Sequence, residues 1–124
     1  MISNDIYELL GETLSNKYDT YYLELAPDDA DCPYIEMHTL YEDMSNFKDC
    51  DSGNFNLNVH VWSDRTDKRR QIASILDDIY IIAKQLKIKN HSIMCLCKGK
   101  DIITDDTTST IYLHGVITLN FKYI

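Results

Sequence analysis

Three histidines are the first residues whose type and placement could do chemistry. His38, His60 and His114 each fall in a stretch of alternating apolar and polar residues, on the side opposite the apolar set. If those stretches were neighbouring strands, the rings would converge on one sheet face and could hold zinc. Local spacing argues against it. Neither His-x-x-x-His nor Cys-x-x-Cys occurs, and these are the pairings that place two ligands on one metal. We expect no metal and no cofactor.

Other chemistries have as little to start from. A nucleophile needs an adjacent base and an orienting group, and no Gly-x-Ser-x-Gly context is present. The four glycines (Gly11, Gly53, Gly99 and Gly115) lie too far apart to build an anion cradle. Asp28, Asp29 and Asp31 lack the spacing and distal glutamate of a calcium loop. Asp77 and Asp78 read as a solvated helix face. Cys95 and Cys97 would share one face of a strand, and with Cys32 and Cys50 they read as reduced thiols rather than a disulfide framework. We expect a protein that is not an enzyme.

Two features suit contacts between proteins. Lys68, Arg69 and Arg70 fall in the first turn of an expected helix, where the positive end of the macrodipole disfavours cations. They form a candidate subunit interface, against the plainer reading of a solvated cluster beside Asp64 and Asp67. Nine tyrosines in 124 residues suit either an interface or partial burial at sheet edges.

The elements that would position these residues follow from periodicity. Phe55, Leu57, Val59 and Val61 alternate with Asn56, Asn58, His60 and Trp62, the period of a strand with one buried face. Ile72, Ile75, Leu76, Ile79, Ala83 and Leu86 then form a helical stripe, with Ser63, Asp64 and Thr66 available as caps. Ile6, Leu9, Leu10 and Leu14 make a short N-terminal helix over Asp5–Leu14, capped by Ser3 or Asn4 and slightly weakened by Gly11. Further strands are expected at Tyr21–Leu25, Tyr34–Tyr41, Ile93–Cys97 and Thr110–Tyr123. Glu42–Gly53 reads as a long loop and Lys98–Thr107 as a polar turn marked by Gly99. In the last strand Ile111, Leu113, Ile117, Leu119, Phe121 and Tyr123 share the inner side, and Gly115 suggests a bend or bulge. The expected fold is a single α+β domain over 1–124. It has a short N-terminal helix and a largely antiparallel sheet of about five strands, with one long helix packed on it.

Composition narrows the partners. Apolar content of 44% supports a folded core. No apolar run reaches membrane-spanning length and the N-terminus lacks signal-peptide character, so we expect no membrane partner and an intracellular protein. Net charge is −8. Residues 1–66 hold 14 acids and 3 bases and residues 67–124 hold 6 acids and 9 bases, so the halves carry −11 and +3. The acidic half would repel phosphates, which disfavours tight DNA binding. Opposed signs in one small domain suit head-to-tail packing of copies, against the plainer reading of a solvated acidic surface with no partner.

A short N-terminal helix is followed by a Pro33-Tyr34-Ile35 strand start and a polar loop. Next come a strand ending Val59-x-Val61-Trp62-Ser63, a long helix, and a last strand containing His114-Gly115-Val116. In this order and spacing the chain resembles the tail-terminator and tail-completion (head–tail joining) proteins of long-tailed bacteriophages. The resemblance implies a non-catalytic virion protein that assembles as a hexameric ring at the head-proximal end of the tail tube. Its implied partners are itself, the tail tube protein and the head–tail connector, with genomic DNA passing through the lumen unbound. The alternative is a small acidic immunity or inhibitor protein that covers a basic partner.

Overall fold

A computed structural model describes residues 2–43 and 52–124, and of residues 38–43 the backbone alone. In chain order the elements are α1 (Ile2–Ser15), β1 (Thr20–Tyr21), β2 (Tyr34–Asp43), β3 (Gly53–Ser63), α2 (Arg69–Lys84), β4 (Ile93–Asp105) and β5 (Tyr112–Tyr123). The five strands form one mixed sheet in the order β1-β2-β3-β5-β4. β1 runs parallel to β2, and the pairs β2–β3, β3–β5 and β4–β5 are antiparallel. The fold is α+β.

Alternation decides which face is buried. Phe55, Leu57, Val59 and Val61 of β3, with Leu113, Ile117, Leu119, Phe121 and Tyr123 of β5, all point to one side and are at most 3% exposed. α1 adds Ile6, Leu10 and Leu14 at four-residue spacing, and α2 adds Ile72, Ile75, Leu76, Ile79 and Ala83. Each large side chain buried this way contributes about 1.5–3 kcal/mol. All of them join one core. Two helices of 14 and 16 residues therefore share the covered face; both were expected, but only the longer was expected to pack on the sheet.

Two glycines set how closely elements approach. A Cβ at Gly11 would meet the Tyr22 ring at 2.3 Å, so the residue that weakens α1 also seats Tyr22 against it. At Gly115 a Cβ would meet Ile72 Cγ2 at 2.6 Å, and this close approach lets α2 settle onto β5. The expected bulge at Gly115 is absent, because its pairing to Val61 and Ile102 runs straight through. Register shifts lie elsewhere, in β4 between Cys97 and Gly99 and in β2 between Glu36 and Thr39.

Several other boundaries differ. β1 keeps only Thr20 and Tyr21 because it pairs with just Ile35 and Glu36, and Leu23 and Leu25 are exposed beyond it. β4 runs through the expected polar turn to Asp105. As an edge strand with one hydrogen-bonded neighbour it stays largely exposed, so polar residues are tolerated there. Ile111 precedes β5 and is exposed. Ser3 is buried inside α1, not its cap. α2 starts later than its expected caps, with Lys68 at the N-cap position making no side-chain capping bond, while Ser63 Oγ accepts from the Arg65 amide at 3.2 Å. Of the loop expected over Glu42–Gly53, Glu42 and Asp43 belong to β2 and Gly53 to β3; residues 44–51, Cys50 among them, lie outside the described residues.

Candidate functional site

Both helices pack on one face, so the outer face of β2, β3, β5 and β4 is free of helices among the described residues. Register lays its side chains in rows. Trp62 pairs with Tyr34 and His114, His60 with Glu36 and Val116, Asn58 with Thr118, Asn56 with Asn120, and Asn54 with Lys122. Met94, Leu96 and Ile103 of β4 continue this face and are 59%, 42% and 47% exposed.

One end of the face is a polar ladder. Asn120 donates through Nδ2 to Asn54 Oδ1 at 2.6 Å and to Asn56 Oδ1 at 2.9 Å. Thr118 Oγ1 donates to Asn58 Oδ1 at 2.7 Å. Such cross-strand pairs fix register and close the face without apolar cover.

The other end is aromatic. The Trp62 and His114 rings stack at 3.8 Å with 4° between their planes, and Tyr112 meets Trp62 edge-on at 6.1 Å. Contacts of this kind are worth about 0.5–1.5 kcal/mol beyond area burial. His114 Nε2 lies 2.8 Å from His60 Nδ1, so one of these nitrogens carries the proton and the other accepts it. Burial holds the His114 imidazole below its ordinary value, with Asp105 and Glu36 opposing. Burial also pushes the Tyr34 phenol up to about 12, helped by Glu36. The indole N–H of Trp62 is buried with no acceptor among the described residues.

Beside this stack lies a cavity of 290 Å³, walled by Trp62, Tyr34 and Tyr112, by Ala26–Asp28, and by Asp105 with Thr107 and Thr108; Glu36 also lines it. Three carboxylates and three aromatic rings face it, and its lining holds no base. Glu36 Oε2 accepts from the Ala26 amide at 3.0 Å. Asp105 Oδ1 accepts from the Thr107 amide at 3.0 Å and its hydroxyl at 2.7 Å, and these bonds hold Asp105 below the usual carboxylate range. Glu36 and Asp105 are each anchored through one oxygen. Chemically, such a cavity is suited to a cation.

Of the histidines, His60 and His114 do come together, while the side chain of His38 lies outside the described residues. Among the described residues no three His, Cys, Asp or Glu side chains group closely enough to hold a metal ion. Cys95 is buried and free, with burial raising its thiol to about 12; Cys97 and Cys32 are free and half-buried. Asp77 and Asp78 are more than a solvated face. Asp77 pairs with Lys100, and Asp78 accepts from Lys17 at 2.7 Å and the Tyr18 hydroxyl at 2.6 Å, tying α2 to the end of α1. Most tyrosines are half-buried, as the plainer reading had it.

Lys68, Arg69 and Arg70 are all exposed at the N-terminus of α2. Arg69 Nη1 donates to the Ile102 carbonyl at a long 3.4 Å. Neither Lys68 nor Arg70 has a salt bridge among the described residues. The cluster and the cavity belong to the same end of the sheet, where β3 finishes and β2 and β5 begin. The sequence placed Asn56, Asn58, His60, Trp62, Tyr112, His114, Thr118 and Asn120 on outward faces; the adjacency of β3 and β5 that joins them carried no local signal. No family model matches this chain, and no curated protein matches it.

Proposed function

We propose that this chain is a structural, non-catalytic protein of a long-tailed bacteriophage particle. It forms a ring, hexameric as in the family it resembles, at the head-proximal end of the tail tube. There it ends tube growth and offers the surface to which the head joins. Its contacts are copies of itself, the tail tube protein and the head–tail connector, and it is assembled into virions in the host cytoplasm.

The observation that carries the reading is the one-sided sheet. Four long strands are covered by helices on one face, while the outer face keeps half-buried aromatic rings, paired asparagines and exposed Met94, Leu96 and Ile103. A face of this kind, rimmed by polar residues, suits a protein neighbour. The opposed charges of the two halves of the chain support a head-to-tail ring, whose interface joins two different patches. An acidic lumen would pass DNA without holding it.

The test is electron microscopy of particles from the parent genome with this gene disrupted. Unjoined full heads beside tails of irregular length are the expected result. Normal, joined particles would refute the role. A second reading, an acidic inhibitor of a basic partner, is favoured by the carboxylate-lined cavity. It requires tight binding to one basic protein without self-assembly, which sedimentation distinguishes from a ring.

A further inference from the structure

We propose that the cavity beside Trp62 holds an arginine side chain from a second copy of this chain, supplied by its Lys68–Arg70 segment.

The lining selects the chemistry. A guanidinium is planar, stacks on aromatic faces and is gripped by carboxylates from the side. Trp62, Tyr34 and Tyr112 supply the faces, and Glu36, Asp105 and Asp28 the charge. Glu36 Oε1 and Asp105 Oδ2 accept no hydrogen bond among the described residues, because the anchoring bonds use the other oxygen of each group. At 290 Å³ the cavity sits at the lower bound of small-molecule pockets, which run from about 300 to 1,000 Å³. That is room for a side chain, not for a cofactor.

The donor follows from what the same chain leaves unpaired. Arg70 makes no hydrogen bond or ion pair among the described residues, and Arg69 holds only a backbone carbonyl on β4. Both stand at a helix N-terminus, where the macrodipole disfavours a cation until an anion approaches. A cation cluster on the helix-bearing side and a cavity on the outer face present two complementary patches from opposite sides of one sheet end. That is the arrangement a head-to-tail contact between copies requires. The identity of the donor rests on the ring reading above, whereas the cavity's preference for a guanidinium does not.

Trp62 is the only tryptophan of the chain, so its fluorescence reports the cavity directly. The full chain is titrated with a synthetic peptide of residues 64–74, with the same peptide carrying Arg69→Glu and Arg70→Glu, and with an unrelated arginine-containing peptide of equal charge. The expected result is a saturable change in Trp62 emission with the first peptide only. It should be lost in a chain carrying Glu36→Gln and Asp105→Asn that retains its far-ultraviolet circular dichroism. Unchanged emission up to millimolar peptide, or an equal response to the reversed-charge peptide, would overturn the proposal. An equal response to the unrelated peptide would remove the second copy as donor. A specific response alongside normal particles from the disrupted genome would leave the cavity assignment standing and sink only the tail-end role.

Discussion

Replacing Gly115 by alanine should destabilise the protein by about 1–2 kcal/mol, although alanine normally improves on glycine in a strand. The added Cβ would lie 2.6 Å from Ile72 Cγ2 and 3.3 Å from Leu76 Cδ1, against an optimum of about 3.5–4.0 Å between carbons. Leu76 can swing the end of its side chain. Ile72 is fully buried in the first turn of α2, so relief there requires the helix to lift off β5. Overpacking of this size costs about 1–3 kcal/mol, and the reduced freedom of the unfolded chain returns about 0.4–1 kcal/mol. Ile72→Ala alone should cost about 2–5 kcal/mol through its cavity. Combined, the alanine at 115 occupies part of that cavity, and the double variant should be at least about 1 kcal/mol more stable than the sum of the singles predicts. Urea unfolding of the four proteins measures this. Additivity within about 0.5 kcal/mol would show that Gly115 does not set the distance between α2 and the sheet.

Three further outcomes follow from the outer face and the helix end. Asn120→Asp replaces a donor to Asn54 and Asn56 with an acceptor at a position 4% exposed, and should cost about 1–3 kcal/mol in urea unfolding; a loss below about 0.5 kcal/mol would mean that the facing amides turn and re-pair. Burial holds the His114 imidazole low, so its neutral form is favoured on folding. The stability this gives is present above the unfolded value of about 6.5 and is lost as pH falls through the lower folded one. Stability should therefore fall as pH drops below about 6.5, less steeply in His114→Gln, and an unaltered slope in that variant would exclude His114 as the cause. Lys68→Gln with Arg70→Gln should raise stability by a few tenths of a kcal/mol per charge at low salt, vanishing at high salt, and a loss of stability would show that these cations have partners within the chain.

Much of the fold was legible because its two periods are clean. Phe55 to Val61 alternates without a break, and Ile72 to Ala83 holds one stripe, so the buried face of β3 and of α2 could be read residue by residue. β4 was legible only to Cys97. Beyond it Lys98, Lys100 and Asp101 obey the freedom of an edge strand, whose exposed side imposes no apolar pattern. Gly115 was misread for a related reason. A glycine inside a strand marks either a bulge or a close approach, and only the packing of Ile72 against it distinguishes the two. The candidate cavity was the least legible part. Its walls come from the 26–28 loop, β2, β3, the end of β4 and the start of β5, and no short motif spans segments so far apart in sequence.

Local rules are broken at one end of this molecule in particular. α2 begins with no capping bond and with two arginines in its first turn, although Asp64 and Asp67 are close by in sequence and would have served the dipole better. At the same end the indole N–H of Trp62 is buried without an acceptor among the described residues, a desolvation cost of about 1–3 kcal/mol. Elsewhere the chain pairs Asn54, Asn56, Asn58, Thr118 and the amide nitrogen of Asn120 on an open face and ties Lys17 and Tyr18 to Asp78, although Asn120 Oδ1 and His91 Nδ1 are also buried without a partner among the described residues. What sets this end apart is the exposed cations at a helix N-terminus beside a carboxylate-lined cavity, a breach of local rules with no compensating ion pair among the described residues. A neighbouring copy that brings its arginine to this cavity would supply that pairing, since the cations would gain carboxylates. On that account the substitutions that relieve the helix end should stabilise the single chain and weaken its assembly together, and opposite signs of this kind distinguish an interface from a solvated patch.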